Sequence, residues 1–179
     1  MLMKDSSGKL LLESAISTLQ SQKRMAERAV AQLPDDALHK PLDENTNSVA
    51  VTIRHIAGNM RSRWTDFLTA DGEKPWRGRD GEFIDDVSSR EELMKAWEEG
   101  WKLCIDTVSA LSEGDLGKTV YIRGEAQTAA LAILRQLSHY GYHIGQIVLL
   151  ARFLAKVTWQ VLTIPRGQSE EYNRRVWKS

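Results

Sequence analysis

The sequence predicts an all-α protein folded as a four-helix bundle. Four long segments carry apolar residues at the alternating three- and four-residue spacing that is typical of amphipathic helices. The prolines fall between these segments rather than inside them, at Pro34, Pro41, Pro75 and Pro165. Helices that each carry one apolar face bury those faces against one another, so the pattern predicts a bundle.

The first helix is predicted over residues 8–33 and ends where Leu33 meets Pro34. The second helix is predicted over residues 48–69. Its apolar stripe comprises Val49, Ile53, Ile56, Met60, Trp64 and Phe67. His55 lies off this stripe, because a rotation of about 100° per residue places it on nearly the opposite side. That position predicts an exposed histidine, unless the small seam of Val51 and Gly58 lets another element approach closely.

A long loop follows over residues 70–87, rich in glycine and charge. Its residues Trp76, Arg77, Arg79 and Phe83 do not favour disorder, so we expect an ordered lid or a dimer contact. The third helix begins after Ser88, which has capping-box spacing to Glu91. Its stripe comprises Leu93, Trp97, Gly100, Trp101, Cys104, Val108 and Leu111.

The fourth helix is predicted from a cap at Thr128 to about Lys156. Before it, residues 119–122 are a short run of β-formers, which favours a small extended piece but is too short for a sheet of its own. One arc of the helix carries Thr128, Arg135, His139, His143, Gln146 and Leu150. Because residues 144–155 are apolar on nearly every side, we expect the histidines to face protein or a cleft. After the helix, Trp159, Ile164 and Trp177 predict a C-terminal tail packed on the body.

Composition limits the possible functions. A chain of 179 residues with 42% hydrophobic residues fits a single domain over residues 1–179. Lys plus Arg equals Asp plus Glu at 24 each, so no long-range field favours nucleic acid, and no apolar run has the length of about 18 residues that a membrane span needs. The single cysteine, Cys104, is predicted to be a core residue rather than a nucleophile. With no signal pattern at the N-terminus, we expect a cytoplasmic location.

His139 and His143 are four residues apart and so lie above one another on one helix face. Two imidazoles in this arrangement can bind one metal ion, although the same spacing also arises where aromatic rings pack against one another without a metal. Joined by His55, they would form the three-histidine set of a catalytic zinc site with one open position. The zinc-protease pattern His-Glu-x-x-His is absent. The remaining histidine, His39, is predicted to be exposed in a linker.

Other polar residues are candidates for supporting roles. Gln146 lies one turn beyond His143 and can orient it or a bound water. Arg135 and Arg123 can bind an anionic substrate group, although structural salt bridges are the more usual role of arginine. No carboxylate has an evident place as a general base, and surface solvation suits Glu125 and Asp66 better than catalysis.

Four stretches of the chain together resemble a known superfamily. They are NSVAVTIRHIAGNMRSRWTDFLTADGEKPWRGRD, TVYIRGE, AILRQLSHYGYHIGQIVLLAR and IPRGQSEEYN, within about residues 45–173. They resemble the DinB-like (YfiT-like) superfamily of metal-dependent enzymes, and most closely a branch of unknown function. The resemblance implies a four-helix bundle that forms a homodimer. It also implies that His55, His139 and His143 bind zinc or nickel, with His55 facing a cleft beside the fourth helix.

The resemblance implies two kinds of chemistry on a small molecule, hydrolysis or transfer that depends on a low-molecular-weight thiol. The lack of an evident carboxylate base slightly favours the thiol, because zinc itself acidifies a thiol. The alternative is a non-catalytic, stress-related protein that binds a metal or ligand. A cleft at the metal lined by Trp76, Arg77, Arg123 or Tyr142 would favour an enzyme, and a sealed site would favour a structural role.

Overall fold

Four long helices form the frame of the molecule: α1 (Ser7–Val30), α2 (Val49–Trp64), α3 (Arg90–Ala110) and α4 (Ala129–Ala155), followed by the short α5 (Ser169–Val176). A hairpin of β1 (Thr119–Ile122) and β2 (Glu125–Thr128) precedes α4, and short 3₁₀ turns occupy Asp35–His39, Arg79–Phe83 and Glu113–Asp115. The structure is a computed structural model and describes residues 6–155 and 159–177. The predicted all-α class is confirmed.

The helix boundaries follow local chemistry, and several differ from the sequence prediction. α1 ends at Val30 rather than Leu33. The third helix is capped one residue later than expected, because Ser89 and Glu92 form the capping box. α2 ends at Trp64 rather than Thr69, because Thr65 is extended and Asp66 has a positive φ of 51°. The cap of α4 is as expected, since the Thr128 hydroxyl accepts a hydrogen bond from the backbone of Leu131 at 3.2 Å.

α2 and α3 run in the same direction, and this explains the long segment between them. At one end, the Ser48 hydroxyl at the start of α2 donates to Asp85, shortly before α3 begins. At the other end, Thr107 near the end of α3 donates to the Trp64 carbonyl at the end of α2. Parallel helices need a connection that returns along their length, so residues 65–89 pass back beside α2.

The core is a single cluster of buried side chains, most of them from α1, α2, α3 and α4, with others from the connecting segments and β1. Aromatic residues fill its centre, with the Trp101 ring 5.4 Å from that of Trp97 and 5.6 Å from that of Tyr140. Cys104 is fully buried there, and burial raises the pKa of its thiol, as expected for a core cysteine rather than a nucleophile. Among the described residues, no helix has the length and apolarity to cross a membrane.

The β1–β2 hairpin is tied to the loop after α2. Arg123 and Gly124 at its tip both have positive φ, which is the geometry of a tight two-residue hairpin turn. Their backbone N–H groups donate to the carboxylate of Asp71 at 2.9 and 2.7 Å. This contact brings the Arg123 side chain to the loop that crosses α2.

The C-terminal tail packs on the body over only part of its length. Trp159 and Leu162 are partly buried against the core, and the carbonyl of Leu162 accepts a hydrogen bond from Arg28 at 3.0 Å. α5 buries none of its residues, and Trp177 is 80% exposed. The prediction that Trp177 packs on the body is therefore wrong, because α5 is a polar helix without an apolar face broad enough to dock.

Candidate metal centre

The structure brings together the three histidines that the sequence singled out. His55 comes from α2, and His139 and His143 come from α4. Nε2 of His55 lies 3.4 Å from Nε2 of His139, and the potential ligand atoms of all three lie within 4.8 Å of one another. Two imidazole nitrogens bound tetrahedrally to zinc at about 2.0–2.1 Å lie about 3.3–3.4 Å apart. The His55–His139 spacing therefore fits a shared metal ion.

His55 is buried, although its helix periodicity predicts exposure. The residue is only 4% exposed, because the 3₁₀ turn of residues 79–83 folds over that side of α2. A Cβ atom added to Gly58 would lie 2.2 Å from Oε1 of Glu82, so the absence of a side chain there makes room for the turn. Of the two readings that the sequence left open, close approach at the small seam is the correct one. The ring of Phe83 completes the cover, 4.7 Å from that of His55.

Glu82 is the residue of this site that sequence reasoning missed. Its Oε2 lies 3.0 Å from Nδ1 of His55. Arg77 holds the same carboxylate with two hydrogen bonds of 2.8 Å, and the Arg77 side chain is only 2% exposed. A carboxylate that accepts from Nδ1–H leaves Nε2 unprotonated and turned towards the other histidines, which is how metal-binding imidazoles are commonly oriented. The only feature of the sequence that indicates this contact is Gly58, which leaves space beside α2 but does not identify Glu82 as the residue that occupies it.

The two histidines of α4 differ in their support. Nδ1 of His143 lies 2.8 Å from Oε1 of Gln146, a contact that holds the orientation of the imidazole. Nδ1 of His139 is buried and has no hydrogen-bond partner in the described part of the chain. The position of His139 therefore depends on packing, including contact between its ring and that of Tyr140 at 5.5 Å.

The surroundings keep the α4 histidines neutral, which is the form that binds metals. Burial, reinforced by the neighbouring cationic groups, lowers the pKa of His139 to about 3. Burial also lowers the pKa of His143, although its hydrogen bond to Gln146 acts in the opposite direction. Burial would raise the pKa of Glu82, but hydrogen bonds from Arg77 and His55 outweigh burial and lower that pKa. Glu82 therefore remains a carboxylate near neutral pH.

A cleft of about 170 Å³ opens beside the histidines, and we call it the basic cleft. His55 and His139 form part of its wall, and the buried amides of Asn59 and Gln136 form another part. The other lining residues are all arginines: Arg63, Arg77, Arg79, Arg123 and Arg135. Three of the candidate substrate contacts, Arg77, Arg123 and Arg135, line this cleft, and none of its described lining residues is Asp or Glu.

A second cleft, of about 160 Å³, lies on the other side of the histidines, and we call it the apolar cleft. Its lining includes Thr52 from α2 and Gln146 and Leu150 from α4. His55 follows Thr52 by about one turn, and His143 precedes Gln146 by about one turn. Along α2 the order is therefore apolar cleft, histidine, basic cleft, and along α4 the order is reversed, as expected of two helices that run in opposite directions.

The other candidates lie outside the basic cleft. Trp76 is exposed, and the centre of its ring lies 5.3 Å from the guanidinium carbon of Arg61. Tyr142 is also exposed, and its ring lies 4.9 Å from that of His143. Glu125 and Asp66 are exposed, and neither lines the basic cleft.

His39 is not the exposed histidine that its place in a linker predicts. Its Nδ1 lies 2.7 Å from Asp85, and its side chain is only 20% exposed. The loop that crosses α2 carries Asp85 to it, so a long-range contact rather than local sequence buries this ring. His39 takes no part in the cluster of three histidines.

A comparison with known protein families found a match over most of the chain. A family model described as "Protein of unknown function (DUF1572)" matches residues 6–168, a span that includes all three histidines, Glu82 and every arginine of the basic cleft. No curated protein and no solved structure matches the chain. Because the family model covers most of the sequence, the chain belongs to the DUF1572 family of unknown function.

Proposed function

We propose that His55, His139 and His143 bind a divalent metal ion and that the protein is a metal-dependent enzyme acting on a small molecule. The observation that carries this proposal is the convergence of three histidines beside an open cleft. Imidazole ligands suit zinc and nickel, and those are the ions we propose. The resemblance to the DinB-like superfamily, whose pattern these three residues match, supports the same assignment.

The protein's own groups prepare the site. Glu82 orients His55 and Gln146 orients His143, so two of the three imidazoles are held before any ion arrives. A zinc ion with three imidazole ligands keeps an open position at which a bound water or thiol is acidified. His55 and His139 line the basic cleft, so a substrate in that cleft would lie beside residues that would hold the ion.

The choice between the two reactions depends on a general base. Glu82 is the carboxylate at the histidines, and it is already bound by Arg77 and His55. Among the residues that the structure describes, no Asp or Glu lines the basic cleft. We therefore favour a thiol-dependent transferase, in which a low-molecular-weight thiol supplies the nucleophile and needs no protein base. Hydrolysis by an activated water is the second reaction class.

We also propose a single-domain, cytoplasmic homodimer. One face of α4 carries exposed apolar residues at helical spacing: Leu131, Leu134, Tyr142, Leu149 and Phe153. A second copy of the chain would cover this stripe, as the resemblance implies. Sedimentation of the wild type and of Leu149→Glu tests this point, because a charge in the stripe should shift a dimer to monomer.

Elemental analysis tests the metal assignment. Protein purified without added metal or chelator should contain about one divalent ion per chain, as expected of a single three-histidine site. His143→Ala should lose the ion and keep its helical circular dichroism, since the site is a small part of the core. His39→Ala is the matched control, and it should retain the ion. A protein that contains no metal and takes none up would contradict the proposal.

The reaction class is tested by screening the metal-loaded protein for thiol conjugation and for ester or amide hydrolysis side by side. Turnover that His143→Ala abolishes and His39→Ala preserves would establish an enzyme. Metal binding without turnover in either assay would favour the alternative of a non-catalytic, stress-related binding protein. A protein that unfolds when the metal is removed would indicate a structural ion rather than an open site.

A further inference from the structure

We infer that the basic cleft binds the oxyanion group of a substrate, a phosphate or a carboxylate. The inference rests on the proposed function in that it names the substrate class of the same site. The cleft itself is built from protein groups alone, so its binding of an anion can be measured without a metal. Phosphate and carboxylate share the acceptor geometry that a guanidinium recognises.

The charge of the cleft is not balanced by the carboxylates around it. Three of its arginines share one partner, because Oε2 of Glu73 lies 3.0 Å from Arg63, 3.2 Å from Arg123 and 3.5 Å from Arg77. Glu82 binds Arg77 as well and is also used by His55. The chain as a whole has no net charge, so this concentration of arginine is a local feature.

Two of the five arginines have no hydrogen-bonded partner for the guanidinium group among the described residues. The side chain of Arg135 makes no hydrogen bond or ion pair with any residue that the structure describes, yet it lines the cleft. Arg79 is 3.9 Å from the fully exposed Asp80, a distance too long for a hydrogen bond, and its guanidinium lies 5.0 Å from the ring centre of Phe83. An oxyanion in the cleft would supply the acceptors that these two side chains lack.

The other three arginines are fixed in place before a ligand arrives. Arg63 donates to the carbonyl of Gly72 as well as to Glu73, and Arg77 is buried. The backbone of Arg123 is anchored by Asp71. Because these groups do not have to be ordered on binding, the entropic cost of binding an anion is smaller.

The wall of the cleft suggests one more property of the ligand. Gln136 is buried, and its Oε1 has no hydrogen-bond partner among the described residues. A ligand that carries a hydroxyl or N–H near its oxyanion would satisfy this atom. His55 and His139 line the same cleft, so an anion held by the arginines would bring the rest of the substrate close to the histidines.

Calorimetry on metal-free protein tests the inference. Inorganic phosphate and malonate are titrated separately at low ionic strength, and at least one should bind saturably with a Kd of about 1 mM or lower. Added salt should weaken the binding. Tighter binding of phosphate would identify a phosphate-bearing substrate, and tighter binding of malonate would identify a carboxylate-bearing one.

Arg135→Ala should weaken the binding by about tenfold, the loss of a charge-assisted contact. Arg152→Ala is the matched control, because Arg152 is also an exposed arginine of α4 but does not line the cleft. The double variant Arg79→Ala/Arg135→Ala should lose more affinity than either single variant. Neither side chain forms a buried pair, so these proteins should keep the wild-type circular dichroism.

The inference is overturned if neither anion binds saturably, or if the double variant binds as tightly as the wild type. The proposed function can fail separately. If the protein binds an anion but takes up no metal, the inference holds and the proposed metal-dependent enzyme is contradicted. If the wild type takes up metal and His143→Ala does not, but neither the metal-free nor the metal-loaded protein binds an anion, the proposed metal site holds and the inference is contradicted.

Discussion

Glu82 joins His55 to Arg77. One carboxylate oxygen lies 3.0 Å from Nδ1 of His55 and 2.8 Å from Nη2 of Arg77, while the other lies 2.8 Å from Nε of the same arginine. All three side chains are largely buried. The orientation of a candidate metal ligand therefore depends on a loop residue and on an arginine of the basic cleft.

We expect Glu82→Gln to weaken metal binding by about tenfold or more, because a neutral amide holds the imidazole less firmly and lowers its basicity. The free energy of unfolding should also fall, since the buried Arg77 would lose its carboxylate partner at 2.8 Å and keep only Glu73 at 3.5 Å. Competition with a chromophoric chelator measures the affinity.

Asp80→Asn is the control for Glu82→Gln, because it makes the same chemical change in the same 3₁₀ turn at a fully exposed side chain. Its metal affinity and stability should match those of the wild type. Equal affinities in Glu82→Gln and Asp80→Asn would mean that Glu82 does not support the site.

Gly58→Ala should reduce metal affinity although it is a favourable change for an isolated helix. The new Cβ would lie 2.2 Å from Oε1 of Glu82, so the carboxylate must move away from its present position against His55. The gain in helix propensity, about 1 kcal/mol, would offset part of the strain in the stability of the fold.

Gly145→Ala is the control for Gly58→Ala, because it makes the same change in α4, where an added Cβ meets no atom within 4 Å. This variant should gain stability and keep its affinity for the metal. Denaturant unfolding and the chelator competition, applied to both variants, separate the two effects. Unchanged affinity in Gly58→Ala would show that Glu82 can shift without consequence.

Asp85→Asn should remove a contribution to the free energy of unfolding that depends on pH. Asp85 accepts hydrogen bonds from His39, Ser48 and the backbone of Val87. Burial raises the pKa of Asp85, but these bonds outweigh burial and lower the pKa below its ordinary value of 3.8. The bonds to the charged form therefore stabilise the fold above that value, and this contribution is lost as the pH falls through the lower pKa of the folded state.

The measurement for Asp85→Asn is urea unfolding followed by tryptophan fluorescence at several pH values. At pH 7 the variant should be less stable by about 1–2 kcal/mol, the range expected for hydrogen bonds to a charged group. The difference should shrink as the pH falls below 3.8, the ordinary pKa of this group. An equal loss of stability at pH 7 and pH 3 would contradict a role for the ionised form.

The helices and their buried faces were predictable because helix periodicity is a local property. Each stripe of apolar residues identifies a face that water disfavours, and the four stripes together make the observed core. The pairing of His139 with His143 was predictable for the same reason, since one turn of a single helix brings them together. The end of α2 was not predictable, because the apolar pattern continues to Phe67, which is buried although the helix ends at Trp64.

Only the tertiary structure decided what surrounds His55. Periodicity assigns the side opposite an apolar stripe to water, but the parallel arrangement of α2 and α3 sends the connecting loop across that side. Glu82 reaches His55 by this route. The basic cleft has the same origin, since its arginines come from α2, the loop, the hairpin and α4. The sequence by itself therefore determined the helices and the residue types of the site. The direction of a loop and the contact at one glycine decided how those residues meet, because both depend on partners distant in the chain.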